Sequence, residues 1–138
     1  MNNKILHVED NPDDLMLMEL AFRKAGVDVR LETATDGDKA IKVLQNGSTA
    51  VPPACVLLDV KLPSLSGLEV LAWIRNQPQL KRLPVVMLTS SLLPDDVNQA
   101  YDLGANSYLT KPQDPEELGQ LVCAFRDYWL CTNVDPVL

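Results

Sequence analysis

The chain is short of histidine, cysteine and basic charge. His7 is the one histidine among 138 residues, and it lies mid-strand, where a core or half-buried place is expected rather than a catalytic one. Lysine and arginine total 12 against 19 aspartates and glutamates, for a formal net charge of -7. Binding nucleic acid rests on a basic surface that neutralises phosphates, so nucleic acid is not expected as a partner. Three cysteines, Cys55, Cys123 and Cys131, are odd in number and lack C-x-x-C spacing. Reduced, mostly buried thiols of a cytosolic protein are expected, rather than a disulfide or a zinc site. No apolar run approaches the roughly 18 residues of a membrane span. No basic stretch followed by an apolar core opens the chain as a signal peptide would. The expectation is a soluble, cytoplasmic protein that touches no membrane. No G-x-G-x-x-G follows a strand-like segment, which disfavours dinucleotide and flavin binding.

What is present is an ordinary globular composition, 46% apolar and 22% charged, of a length that fits one domain with one core. The stretch from Cys55 to Pro63, CVLLDVKLP, organises it. Four apolar residues without alternation read as a strand covered on both faces, as in a parallel sheet. They run into Asp59, which therefore stands at the carboxyl edge of the sheet, where open α/β sheets bind ligands.

The rest of the chain repeats the pattern. Lys4 to Val8 is a short strand ending in Glu9 and Asp10. Asn11-Pro12-Asp13-Asp14 opens a helix as cap, first-turn proline and first-turn acids, with Leu15, Met18, Phe22 and Ala25 on its core stripe and Gly26 at its end. Val29 to Ala34 reads as a strand, and a helix through Ala40, Ile41 and Leu44 follows, closed by Asn46-Gly47 and a loop from Ser48 to Pro53. Leu65 to Arg75 reads as a helix burying Val70, Leu71 and Ile74. Leu83 to Leu88 is a strand closed by Thr89-Ser90-Ser91. A helix opens at Pro94-Asp95-Asp96 with Val97, Ala100 and Tyr101, and Gly104 ends it. Ser107 to Thr110 is the last strand, followed by Lys111-Pro112 and a helix through Leu118, Leu121, Val122, Phe125 and Trp129. Five strand–helix alternations with short connections imply right-handed βαβ units, a parallel sheet and helices on both faces. Residues 1–130 form the domain, 131–138 a tail, and no output domain is expected.

Polar groups now fall at strand ends in a fixed order: Glu9 and Asp10, then Asp59, Thr89 and Lys111 ahead of Pro112. In that order and spacing the chain resembles the receiver domains of two-component response regulators, over nearly its whole length. The resemblance implies a flavodoxin-like, CheY-like sheet of order 2-1-3-4-5. The first and third strands are then neighbours about 4.8 Å apart, and Glu9, Asp10 and Asp59 converge. Carboxylates that close repel by about 1–4 kcal/mol per pair, so a cation is needed, and oxygen donors with a phosphoryl partner favour Mg²⁺.

The family's roles follow residue by residue. Asp59 is the phosphoacceptor, taking a phosphoryl group from a histidine kinase's phosphohistidine. Asp10 and Asp59 bind Mg²⁺ directly, Glu9 acts mainly through water, and the backbone carbonyl of Lys61 adds a ligand. Lys111 and Thr89 hold phosphoryl oxygens, with a cis Lys111–Pro112 bond aiming the lysine. Thr89 and Tyr108 form the switch pair. Met16, Leu17 and Leu20 lie off the core stripe of the first helix and are expected to dock the kinase. The closing Tyr128-Trp129-Leu130 and the EDNPDD motif are similar to those of stand-alone receivers serving phytochrome-type sensor kinases. A homodimer with Tyr128 and Trp129 in its contact is expected. Such a receiver is a phosphoacceptor that catalyses its own phosphorylation and slow dephosphorylation, not an enzyme acting on other substrates. Two other readings have less support. A haloacid-dehalogenase-like enzyme needs an aspartate two residues after Asp59, where Lys61 stands. A degenerate, phosphorylation-independent adaptor normally lacks one of the five site residues, and all are here.

Overall fold

A computed structural model describes residues 2–26, 28–45 and 51–138. The helix stop at Asn46-Gly47 and the first half of the loop after it, 48–50, lie outside the described residues. The elements are β1 (Lys4–Val8), α1 (Pro12–Lys24), β2 (Arg30–Ala34), α2 (Gly37–Gln45), β3 (Cys55–Leu58), α3 (Gly67–Asn76), β4 (Val85–Thr89), α4 (Pro94–Asp102), β5 (Ser107–Thr110) and α5 (Pro115–Phe125). Arg126–Thr132 continues α5 as a π-helical segment. All strand pairings are parallel, in the order β2-β1-β3-β4-β5, as expected.

The unalternating apolar strands have a direct cause. Successive side chains point to opposite faces of a sheet, and both faces are covered. Leu6, Val8, Val56, Leu58, Val85 and Met87 pack with Val70, Leu71 and Ile74 of α3 and Ala100 of α4. Their neighbours Ile5, Leu57, Val86 and Leu88 pack with Met18 and Phe22 of α1 and Val122 and Phe125 of α5. A chain that must bury both faces of its central strands keeps them almost wholly apolar, with the buried His7 of β1 as the exception. The first polar residue after each strand therefore marks the sheet edge.

Local chemistry sets the helix starts. Asn11 Oδ1 accepts from the backbone N–H groups of Asp13 at 2.9 Å and Asp14 at 3.4 Å, capping α1, and Gly26, at a φ of 71°, ends it. α3 starts two residues later than its hydrophobic pattern indicates. Ser66 and Glu69 form a reciprocal capping box, with Ser66 Oγ accepting from Glu69 N at 3.2 Å and Glu69 Oε1 accepting from Ser66 N at 3.3 Å.

Three other expectations need correction. In α4 only Ala100 is buried, because this short helix covers the sheet margin with a narrow stripe, and Tyr101 is 49% exposed. On α1, Ala21 is buried beside Met18 and Phe22, while Leu15 and Ala25 are half-buried. The thiols are free, but only Cys55 is buried. Cys123 is half-buried, and Cys131 is exposed on the π-helical segment, none of whose residues is fully buried. Trp129 and Leu130 still pack against the α1/α5 core. Among the described residues no helix is long and apolar enough to cross a membrane.

Candidate phosphoacceptor and metal site

The sheet delivers four of the five expected site residues to one edge within a residue of a strand end, and Asp10 a residue further on. Glu9 follows β1, Asp59 follows β3, Thr89 ends β4 and Lys111 follows β5. Backbone hydrogen bonds extend the ladder past the strand ends and fix these residues: Glu9 N to Ala34 O at 3.0 Å, Asp59 N to Val8 O at 3.2 Å, and Lys111 N to Thr89 O at 2.9 Å. Glu9, Asp59 and Thr89 are buried at 1%, 6% and 1% exposure, and Asp10 opens to solvent. One carboxylate oxygen from each of Glu9, Asp10 and Asp59 lies within 4.8 Å of the others.

Lys111 crosses to this cluster. Its Nζ donates to Asp59 Oδ2 at 2.7 Å and to Asp14 Oδ2 at 3.1 Å, and it also touches Glu9 Oε1. Asp59 Oδ1 accepts from the backbone N–H of Lys61 at 3.2 Å, and Glu9 Oε2 from that of Asn11 at 3.2 Å. Burial opposes the charge on Lys111, but hydrogen bonds to Asp59 and Glu9 outweigh it and hold the ammonium above its usual value. Burial pushes the Glu9 carboxyl up, with Lys111 pulling the other way. His7 lies beneath them, and burial, reinforced by Lys111, pushes its imidazole down to about 4. It is neutral at neutral pH.

The donor set fits a hard divalent cation. Three carboxylates face one ammonium, so negative charge is left uncompensated, and all the donors are oxygen. The exposed side at Asp10 leaves room for the waters that Mg²⁺ retains.

Thr89 and Tyr108 are joined through a residue that the sequence does not single out for this link. Tyr108 donates its hydroxyl to Ser91 O at 2.8 Å, and Ser91 N donates to Thr89 Oγ1 at 3.3 Å. Ser91 Oγ reaches Asp96 Oδ2 on α4 at 2.5 Å. One residue thus ties the site threonine, the aromatic ring and α4 together. No described peptide bond is cis, so Lys111–Pro112 is trans, against expectation. The ammonium reaches Asp59 with this bond trans, and Lys111 N donates to Thr89 O just past the Thr89–Thr110 pair. Two further residues escaped the sequence reading. Asp14 reads there as helix-dipole charge yet contacts Lys111, and Gly67 packs directly on the Asp59 backbone.

Met16, Leu17 and Leu20 are 54%, 39% and 37% exposed. Leu17 and Leu20 line an open groove of about 560 Å³ between α1 and α5, with Lys24 and Leu118. At the far end Tyr128 is 50% exposed and stands edge-on to Trp129 at 4.9 Å.

Comparison with known proteins agrees with this geometry. The model of the response regulator receiver domain family matches residues 5–123. The chain belongs to that family. As a receiver of two-component signalling it is 39% identical to the response regulator Rcp1 of Synechocystis over 135 residues, 96% of this chain and 92% of Rcp1. It is 41% identical to FilR2 of Methanothrix harundinacea, described as a probable methanogenesis regulatory protein, over 96% of this chain and 86% of FilR2. Among solved structures, the phosphorylated cyanobacterial phytochrome response regulator RcpA superposes with a TM-score of 0.92 at 38% identity, covering 99% of this chain and 100% of RcpA. The Mn²⁺-bound form of Rcp1 superposes with a TM-score of 0.88 at 38% identity, covering 98% and 99%. The receiver thus has phytochrome-associated relatives, and one relative holds a divalent metal.

Proposed function

We propose that the receiver accepts a phosphoryl group on Asp59 from a sensor histidine kinase and signals through a changed protein-interaction face. The observation that carries this is the state of Asp59. Its carboxylate is buried, one oxygen is on Lys111 and the other on a backbone N–H, and it sits within a carboxylate cluster suited to a cation. Asp59 Oδ attacks phosphorus, the P–N bond to the kinase imidazole breaks, and the imidazole leaves as an acyl phosphate forms. The chain's task is alignment and charge neutralisation. Lys111 holds one phosphoryl oxygen, and the Thr89 hydroxyl moves to another, drawing on Ser91 and so on Tyr108 and α4. When bound, Mg²⁺ would neutralise phosphoryl charge, and Asp10, Asp59, the Lys61 carbonyl and Glu9 would hold it. All five chemical groups being in place favours this reading over a phosphorylation-independent adaptor. Incubation with acetyl phosphate and Mg²⁺ should label one site per chain, and chelation should abolish the label. Label that survives chelation contradicts the metal's role.

Likeness to RcpA supports a phytochrome-type kinase as partner, which the exposed face of α1 would receive. Leu17→Asp or Leu20→Asp is expected to slow transfer from the kinase by about tenfold or more, the loss of one apolar contact at an interface. Acetyl phosphate labelling should stay near wild type. Equal losses in both assays would mean a folding defect instead.

A homodimer is supported by exposed apolar surface at the end of the chain. Tyr128 lines an open groove with Leu109, Leu121 and Phe125, on the α5 face of β5, opposite the face that carries Tyr108. Because Trp129 packs on its own core, Tyr128→Ala is the cleaner variant. Sedimentation should show wild-type dimers that weaken in Tyr128→Ala. Wild type that remains monomeric at high micromolar concentration, with and without phosphorylation, removes the dimer.

A further inference from the structure

An ammonium has three N–H donors, and around Lys111 three carboxylates meet them. Glu9 and Asp59 belong to the cluster at the sheet edge. Asp14 does not. It is the third residue of α1, held in a first turn that Asn11 caps, with Oδ2 3.1 Å from Lys111 Nζ and its side chain 37% exposed. Beside the ammonium lies a small, partly open cavity of about 40 Å³ lined by His7, Glu9, Asp14 and Lys111 together with Met18 and Leu88. His7 is 2% exposed, and its Nδ1 meets no hydrogen-bond partner among the described residues. A cavity that size, with polar groups on its wall, has room for a water molecule.

We propose that Asp14 is a positioning residue for Lys111, forming with the polar cavity beside His7 a rear seat that keeps the ammonium in the site while its front contacts change. The inference rests on the phosphoacceptor reading of Asp59. Phosphorylation converts the Asp59 carboxylate to the carbonyl of an acyl phosphate and moves its charge outward onto the phosphoryl oxygens. Glu9, a member of the acidic cluster, would already be engaged on the metal side once Mg²⁺ is bound. Both front partners of Lys111 are therefore lost or redirected as the ammonium swings outward. Asp14 belongs to neither set, and its charge is supported by the α1 N-terminus throughout. A water in the cavity takes the N–H that turns inward. The neutral imidazole does not repel the cation. Lysine is a flexible four-carbon stem whose ordering costs entropy, and a permanent rear contact keeps that cost out of each transfer.

The test compares wild type, Asp14→Asn and Asp14→Glu for the rate of Asp59 labelling by acetyl phosphate and, separately, for Mg²⁺ dissociation by calorimetry. Asparagine keeps the size and the helix-start preference but not the charge. Asp14→Asn should label roughly fivefold to tenfold more slowly, the loss of one partly solvated charge-assisted hydrogen bond. Its Mg²⁺ dissociation constant should stay within about twofold, because Asp14 is not among the three clustered carboxylates. Asp14→Glu should recover most of the rate. Unchanged labelling in Asp14→Asn overturns the proposal and leaves Asp14 as helix-end charge. A parallel loss of Mg²⁺ affinity overturns it too, because the defect is then in the metal site or the fold. Wild type that takes no label overturns the phosphoacceptor reading itself, whereas labelled wild type with indifferent Asp14 variants overturns only this one.

Discussion

Asp59→Asn is expected to abolish phosphorylation while leaving the fold intact. The amide oxygen carries no charge and is a far poorer nucleophile. The change also takes one of the three anions from the cation site. Loss of an essential nucleophile removes about three orders of magnitude of rate or more, which places labelling below detection. Stability should change little. The substitution conserves shape, relieves part of the repulsion with Glu9 and Asp10, and leaves Lys111 its contacts with Glu9 and Asp14. Circular dichroism and denaturant melts should therefore overlay those of wild type while phosphate uptake vanishes. Stoichiometric label in the variant would sink the mechanism unless it mapped to a different residue.

Gly67→Ala is expected to damage both stability and phosphorylation, for a reason that lies in the backbone. A Cβ at Gly67 would stand 1.8 Å from the carbonyl oxygen of Asp59 and 2.8 Å from its carbon. Side-chain rotation cannot relieve either contact. The two segments are also pinned, because Gly67 N donates to Val60 O at 2.8 Å. The start of α3 must therefore move off the end of β3, breaking that bond and shifting the residue that carries the nucleophile. Overpacking of this kind costs about 1–3 kcal/mol and more where backbone meets backbone. Displacing a reacting group by about 1 Å can cost about a hundredfold in rate. Urea titration and acetyl phosphate labelling of the same preparation check both. Wild-type values in both would mean that the close approach has no consequence.

The contrast between these two residues shows what the sequence disclosed. Asp59 was legible because both faces of β3 are buried, so the first charged residue after CVLL had to mark the sheet edge. Glu9 and Lys111 followed by the same logic, and strand order brought them together. Asp14, Gly67 and Ser91 were not legible in these roles. Each acts through a contact between segments distant in sequence or through a backbone atom. Lys111 and Asp14 are 97 residues apart, and no periodicity in α1 distinguishes an acid that caps a helix from one that also reaches across to β5. The start of α3 was misread because Leu65 continues the apolar spacing, while Ser66 and Glu69 settle the boundary by hydrogen bonding. Cys131 was misplaced because apolar neighbours in sequence do not by themselves bury a residue, and it stands on a segment none of whose residues is fully buried.

The most direct measurement is peptide mass spectrometry of the wild-type chain after brief incubation with acetyl phosphate and Mg²⁺, under conditions that preserve acyl phosphates. The account predicts one added phosphoryl group, on the peptide carrying Cys55 to Lys61 and localised to Asp59, and none when the metal is chelated. A phosphoryl group on any other residue, or a chain that takes none while folded and metal-loaded, would contradict it.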